Sequence, residues 1–220
     1  MSETGYIQAL DLAGGVFLLA AVVTLWQRRL AAMVGLFAVQ GGALAAIVAL
    51  LGLRERSVEL VIVAVGLGVL RAGVVPLLVR RALLGSGAEQ RETSPEVNIT
   101  ASLLACAALT LLSYAVTRPL VRLAPSPATA LLPVSVAVVL IGFLALVTRR
   151  RALSQVVGLL LLDNGITATA FLATSGVPLV VELGGSFDLL LVVLVLQLLI
   201  VRLRTTFGST DLDELRELHE

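Results

Sequence analysis

Seven runs of apolar residues, each of the roughly 17 to 25 residues that one helix needs to cross a bilayer, leave this chain little choice of solvent. They are Leu10 to Trp26, Leu30 to Leu53, Val58 to Val79, Ile99 to Val116, Ala130 to Val147, Ala152 to Thr174 and Val177 to Val201. Charged residues are 14% of the chain and hydrophobic ones 58%, whereas soluble domains carry about 25% charge. The expected fold is all-α: a polytopic membrane protein of about seven transmembrane helices.

Orientation follows from arginine, because the chain has no lysine. With the N-terminus outside, Arg28, Arg29, Arg80, Arg81, Arg91, Arg149, Arg150, Arg151, Arg202, Arg204 and Arg216 fall on the cytoplasmic side. Arg54, Arg56, Arg118 and Arg122 fall outside. This distribution obeys the positive-inside rule and puts the C-terminus in the cytoplasm. Met1-Ser2-Glu3-Thr4 lacks the basic start of a signal peptide, so the first span is expected to be retained. Cys106 is the single cysteine and reads as a small core filler.

The chain repeats itself at an offset of 123 residues. Arg28 falls on Arg151, Gly35 on Gly158, Gly42 on Gly165, Glu59 on Glu182 and Arg81 on Arg204, without a gap. Spans one to three thereby map onto spans five to seven. A three-helix unit ends on the opposite side from where it begins, so a linking helix is needed to make two such units parallel. The expected organisation is a first unit at 1–81, a loop and linking helix at 82–129, a second unit at 130–204 and a cytoplasmic tail at 205–220. Parallel repeats of this kind recur among transport proteins.

Three ionisable residues interrupt the apolar runs. Counting about 1.5 Å per residue from the arginine anchors puts Arg71 about 14 Å, Asp163 about 18 Å and Asp188 about 21 Å from the cytoplasmic edge. A charge at that depth costs about 3 kcal/mol even on lenient insertion scales, so it faces a bundle interior or a wet cavity. Arg71 can neutralise one aspartate, and the other must meet water or take a proton. Two roles suit this arrangement, a proton relay and an ion pair that fixes how the units dock. The repeat places Gln40 opposite Asp163, with Val65 opposite Asp188 and Leu194 opposite Arg71. Glu59 and Glu182 lie near outer helix ends, where interfacial water and the positive helix pole suit a carboxylate. Gly184-Gly185 can loosen the seventh helix or simply let it pack closely, and Pro76 is expected to kink the third helix and free a carbonyl near Arg71.

Little lies outside the membrane. The loop Gly85 to Asn98 is polar and of mixed charge, and the stretch Gly208 to Leu218 reads as a capped acidic amphipathic helix. No clustered His or Cys, phosphate loop or nucleophile with a base is present, so no catalytic centre is expected in this chain.

These residues carry a resemblance. Arg150-Arg151, Gly158-Leu159, Asp163-Asn164-Gly165, Glu182, Asp188 and Thr210-Asp211-Leu212, with Arg71 before Val74-Val75-Pro76-Leu77, resemble the membrane subunit called hydrogenase-4 component E. That family is similar in its three-helix units to the small K-type subunit of respiratory complex I, most clearly here over residues 132 to 215. The K-type glutamate that follows Gly-Leu is Leu160 in this chain, and Asp163 stands about one turn further along the same face. Asn164 matches the family pattern.

The resemblance implies a non-catalytic subunit in the membrane arm of a complex-I-related NiFe hydrogenase of the bacterial or archaeal cytoplasmic membrane. Antiporter-like and quinone-site-type subunits and a peripheral hydrogenase arm would be its partners. The NiFe centre and Fe-S clusters would belong to them, with no cofactor in this chain and no nucleic acid. Asp163, Asp188 and Arg71 would carry proton transfer, with Glu182, Asn164, Gln40 and Glu59 beside them. A structural adaptor without conduction, or a subunit of a multi-subunit cation/proton antiporter, is the alternative.

Overall fold

The structure, a computed structural model, describes residues 2–86, 99–149 and 152–174. It is helical throughout, with no strand among the described residues. Helix α1 spans Glu3–Trp26, α2 Leu30–Glu55, α3 Val58–Leu67, α4 Val75–Ser86, α5 Ile99–Leu123, α6 Leu132–Thr148 and α7 Ala152–Thr174. A π-helical turn, Gly68–Val74, joins α3 to α4, so these form one continuous rod. Six segments of the described chain are long and apolar enough to cross a membrane, the rod counting as one. The seventh expected span, Val177 to Val201, lies outside the described residues, as do Glu182, Asp188 and the C-terminal tail.

Local chemistry sets the helix ends. Ser2 caps α1 by accepting a hydrogen bond from the Gly5 amide at 3.2 Å, and Ser57 caps α3 by accepting from the Leu60 amide at 3.3 Å. The first helix therefore starts at Glu3 rather than at Leu10. Arg54 reinforces that extension: it lies 3.6 Å from the Glu3 carboxylate and 5.3 Å from the centre of the Tyr6 ring. Between α2 and α3 the chain reverses at Arg56, whose φ of 55° is left-handed and ends α2 in a single residue. The fourth span runs on to Leu123 instead of stopping at Val116, with Pro119 inside the helix.

Helix α2 is central and packs on α1, the α3–α4 rod and α7, while α6 joins α7, α5 and α1. The α6–α7 seam is the most extensive, and glycine makes it so. A β-carbon added at Gly142 would lie 2.5 Å from the Leu162 amide nitrogen, one at Gly158 2.7 Å from that of Leu146, and one at Gly165 2.7 Å from that of Val139. Those approaches bring backbone against backbone, as small residues do in membrane bundles.

The buried apolar residues form two clusters rather than one. The first takes Leu44, Ile47 and Leu51 of α2, Leu60, Val63 and Leu67 of α3, and Phe171 and Leu172 of α7. Leu30, Met33 and Phe37 of α2, Val75 and Val79 of α4, and Val156, Leu160 and Leu161 of α7 belong to the second. On each of the three helical rods the break between clusters falls at a polar residue: Gln40 on α2, Arg71 between α3 and α4, and Asp163-Asn164 on α7. Leu30 and Leu51 are about 31 Å apart along α2, close to the hydrocarbon thickness of about 30 Å. Gln40 lies about 15 Å from Leu30, at mid-depth.

Candidate functional site: a polar layer at mid-depth

Arg71 is the hub of this layer. A seven-residue π turn is an uncommon device within a helix and often marks a functional position. Here it also accommodates Pro76, which has no N–H to donate. The turn is widened, so that the Val75 amide bonds the Leu70 carbonyl five residues back. Backbone approach by α2 is possible because residue 41 is glycine. A β-carbon at Gly41 would lie 2.8 Å from both the carbonyl carbon and the carbonyl oxygen of Arg71.

The guanidinium reaches across to α7. One terminal nitrogen donates to the Asp163 carboxylate, forming an ion pair, and also to Asn164 Oδ1 at 2.6 Å; the other donates to Thr167 Oγ1 at 2.9 Å. Asp163 and Thr167 are four residues apart and Asn164 and Thr167 three, the spacings that share a helix face. Ninety-two residues of sequence separate Arg71 from Asp163.

The polarity of the remaining bonds follows from the arginine, which can only donate. Asn164 must accept with its oxygen, so its amide nitrogen is turned to Gln40 and donates to Oε1 at 3.0 Å. Gln40 in turn donates from Nε2 to the carbonyl of Phe17 on α1 at 3.4 Å. A single directed chain thus runs from the α3–α4 rod through α7 and α2 to α1. Among the described residues it carries one positive and one negative charge, and pairing them lowers the cost of holding ions at this depth.

The two charged partners are not equally enclosed. Arg71 exposes 4% of its side-chain surface and Asp163 28%. The carboxylate is therefore the less enclosed member of the pair, and the guanidinium lies deeper in the bundle.

Of the residues expected at the site, Arg71, Asp163, Asn164 and Gln40 come together. Glu59 does not: it is exposed in the first turn of α3, twelve residues and about 18 Å of helix before Arg71. Glu182 and Asp188 lie outside the described residues. Leu160, at the position of the K-type glutamate, is fully buried in the second apolar cluster. Thr167 was missed by the sequence reading, although its place four residues after Asp163 was signal enough.

A second buried arginine was also missed. Arg149, counted among the cytoplasmic anchors, is 6% exposed. It donates to the carbonyls of Leu25 at 2.8 Å and of Thr24 and Gln27 at 3.1 Å, the open end of α1. Its own carbonyl accepts from Gln155 Nε2 at 2.9 Å. Among the described residues, no three His, Cys, Asp or Glu side chains come together as a metal site would require.

Over all 220 residues the chain is 48% identical to a protein of Mycobacterium tuberculosis (strain ATCC 25618 / H37Rv) that bears the name "Uncharacterized protein Rv0085", and the match covers 100% of both chains. No protein-family model matches the chain, and no solved structure matches it.

Proposed function

We propose a function for this chain, which belongs to the family of Mycobacterium tuberculosis Rv0085, from its resemblance to hydrogenase-4 component E. Its role is that of a non-catalytic membrane subunit in a complex-I-related group 4 NiFe hydrogenase of the formate hydrogenlyase type, where it forms part of a proton path. The chain then crosses the cytoplasmic membrane seven times, N-terminus outside, as two parallel three-helix units. NiFe and Fe-S chemistry stays in partner subunits.

The observation that supports this reading is the mid-depth pair of Arg71 and Asp163, with its carboxylate the more exposed member. When Asp163 takes a proton, Arg71 keeps its bonds to Asn164 and Thr167. The guanidinium therefore holds its place while the carboxyl gains or loses its proton. A guanidinium that stays fixed beside a carboxyl able to gain and return a proton is the arrangement a relay needs.

Asp163→Asn tests the reading in the assembled complex reconstituted into vesicles. Hydrogen turnover and subunit stoichiometry should persist while proton uptake is lost. Undiminished uptake by the assembled variant would refute the relay.

A second reading is favoured by the number of bonds that Arg71 makes to α7. The pair then serves only to dock the rod against α7, and the chain is an adaptor between antiporter-like subunits and the catalytic arm. This reading predicts that Arg71→Leu depletes the complex on native gels, and that Asp163→Asn leaves proton uptake intact.

A further inference from the structure

At one end of α5, remote from the polar layer, a groove of about 590 Å³ opens between α5 and the start of α6. Tyr114, Arg118 and Arg122 line it at four-residue intervals, a single stripe along α5. Val121, Ala130 and Pro133 form its apolar wall. The stripe is held in place from behind, because Ser113 donates to the Pro133 carbonyl at 2.8 Å and Thr117 bonds the carbonyl of Ser113 at 2.7 Å. Helix α5 is thereby fixed to α6 just beneath the groove.

The two arginines have no acidic partner among the described residues. Both are exposed, and neither forms an ion pair or a hydrogen bond with another described residue. The sequence contains no Asp or Glu between Glu96 and Asp163, so α5, α6 and the turn joining them offer no carboxylate. Arg118 lies five residues before the end of α5, about 7.5 Å from it. That is the depth at which the apolar part of a membrane helix gives way to headgroups. Pro119 adds an acceptor, since it has no N–H for the carbonyl of Ala115, which also lines the groove.

We propose that this groove binds one anionic phospholipid, its phosphate held between Arg118 and Arg122 and an acyl chain lying along Val121, Ala130 and Pro133. Charge complementarity selects the occupant. Two adjacent guanidiniums that form no ion pair with a described residue repel a zwitterionic headgroup's cation and favour a net negative one. The apolar wall beside them excludes a fully hydrated anion as the best fit. Tyr114 can donate its hydroxyl to the same phosphate, and the Ala115 carbonyl suits a hydroxyl on the headgroup.

The test is native mass spectrometry of the full-length protein released from micelles containing phosphatidylglycerol or phosphatidylcholine, with glycerol 3-phosphate as a water-soluble competitor. One phosphatidylglycerol should stay bound where phosphatidylcholine does not, and glycerol 3-phosphate should not displace it. Arg118→Gln combined with Arg122→Gln should weaken binding roughly thirtyfold, the effect of about two interfacial charges. Ala130→Phe, at an exposed position, fills the apolar half and should weaken binding with both arginines in place. If the double variant does not fold, that second variant decides. Equal retention of the two lipids, unchanged binding in the variants, or displacement by glycerol 3-phosphate would each overturn the proposal.

Discussion

Arg71 and Arg149 are both buried guanidiniums, yet the protein neutralises them by different means. Arg71 sits at mid-depth and is matched by a carboxylate, an amide oxygen and a hydroxyl. Arg149 sits beyond the end of α6 and is matched by three main-chain carbonyls where α1 ends. Near the membrane edge the partial negative charge of a helix C-terminus favours a cation. In the middle of the bilayer a full counter-charge is needed, and with it comes a group that can gain or lose a proton. The first arrangement includes a group that can exchange a proton; the carbonyls around Arg149 tie the start of the α6–α7 connection to the end of α1.

The sharpest way to break this comparison is to strand each partner. Arg71→Leu leaves Asp163 without its counter-charge and should cost about 3–5 kcal/mol, read as a lower unfolding midpoint of the detergent-solubilised protein. Combining Arg71→Leu with Asp163→Leu should return most of that stability, because the cost lies in the uncompensated ion. No recovery in the double variant would mean that the pair contributes through something other than charge.

Arg149→Ala should be milder, about 2–3 kcal/mol for the loss of charge-assisted bonds to carbonyls that lie nearer to water. Lysine at that position should restore only part of it, since one ammonium cannot span three carbonyls as a planar guanidinium does. Gly41→Val tests whether backbone approach is what presents Arg71 to α7. The added carbons meet the main chain of Arg71, with an expected loss of about 1–3 kcal/mol, and proton uptake should fall with it. Gln40→Leu removes the acceptor for the Asn164 amide and should cost about 1 kcal/mol. The smallest effect is expected for Glu59→Gln, which should leave both the unfolding midpoint and proton uptake unchanged.

The residue matches at an offset of 123 mark where sequence reading reaches and where it stops. Gly35 and Gly42 align with Gly158 and Gly165 at the offset of 123 residues. In the structure the second pair brings α7 into backbone contact with α6. The first does nothing comparable: a β-carbon at Gly42 would meet nothing within 4 Å, and one at Gly35 only a terminal nitrogen of Arg80 at 3.7 Å. On α2 the close approaches belong to Gly41, against Arg71, and to Gly52, against Leu60 and Val61. Positions that align at this offset keep their residue type without keeping their neighbours. The same holds for Gln40 and Asp163: aligned in sequence, they meet one layer of bonds but play acceptor and counter-ion.

Pro76 makes a related point. Its missing N–H was legible, and so was some disturbance near Arg71. That the disturbance is a widened turn over Gly68–Val74 depends on Gly41, on another helix, leaving room for the Arg71 main chain.

The amino-acid sequence by itself determined that the solvent is lipid, that helices of bilayer length cross it, and that Arg71 and Asp163 share a depth. Those properties follow from hydropathy and from a fixed rise per residue, which act along one chain segment at a time. The tertiary structure alone decided that Arg71 takes Asp163, Asn164 and Thr167 as partners, that Gln40 continues the chain to α1, and that Arg149 closes the end of α1. Pairing depends on which helix faces which and in what rotation. Helix periodicity puts a side chain on a face, but only packing against a neighbour decides what that face meets.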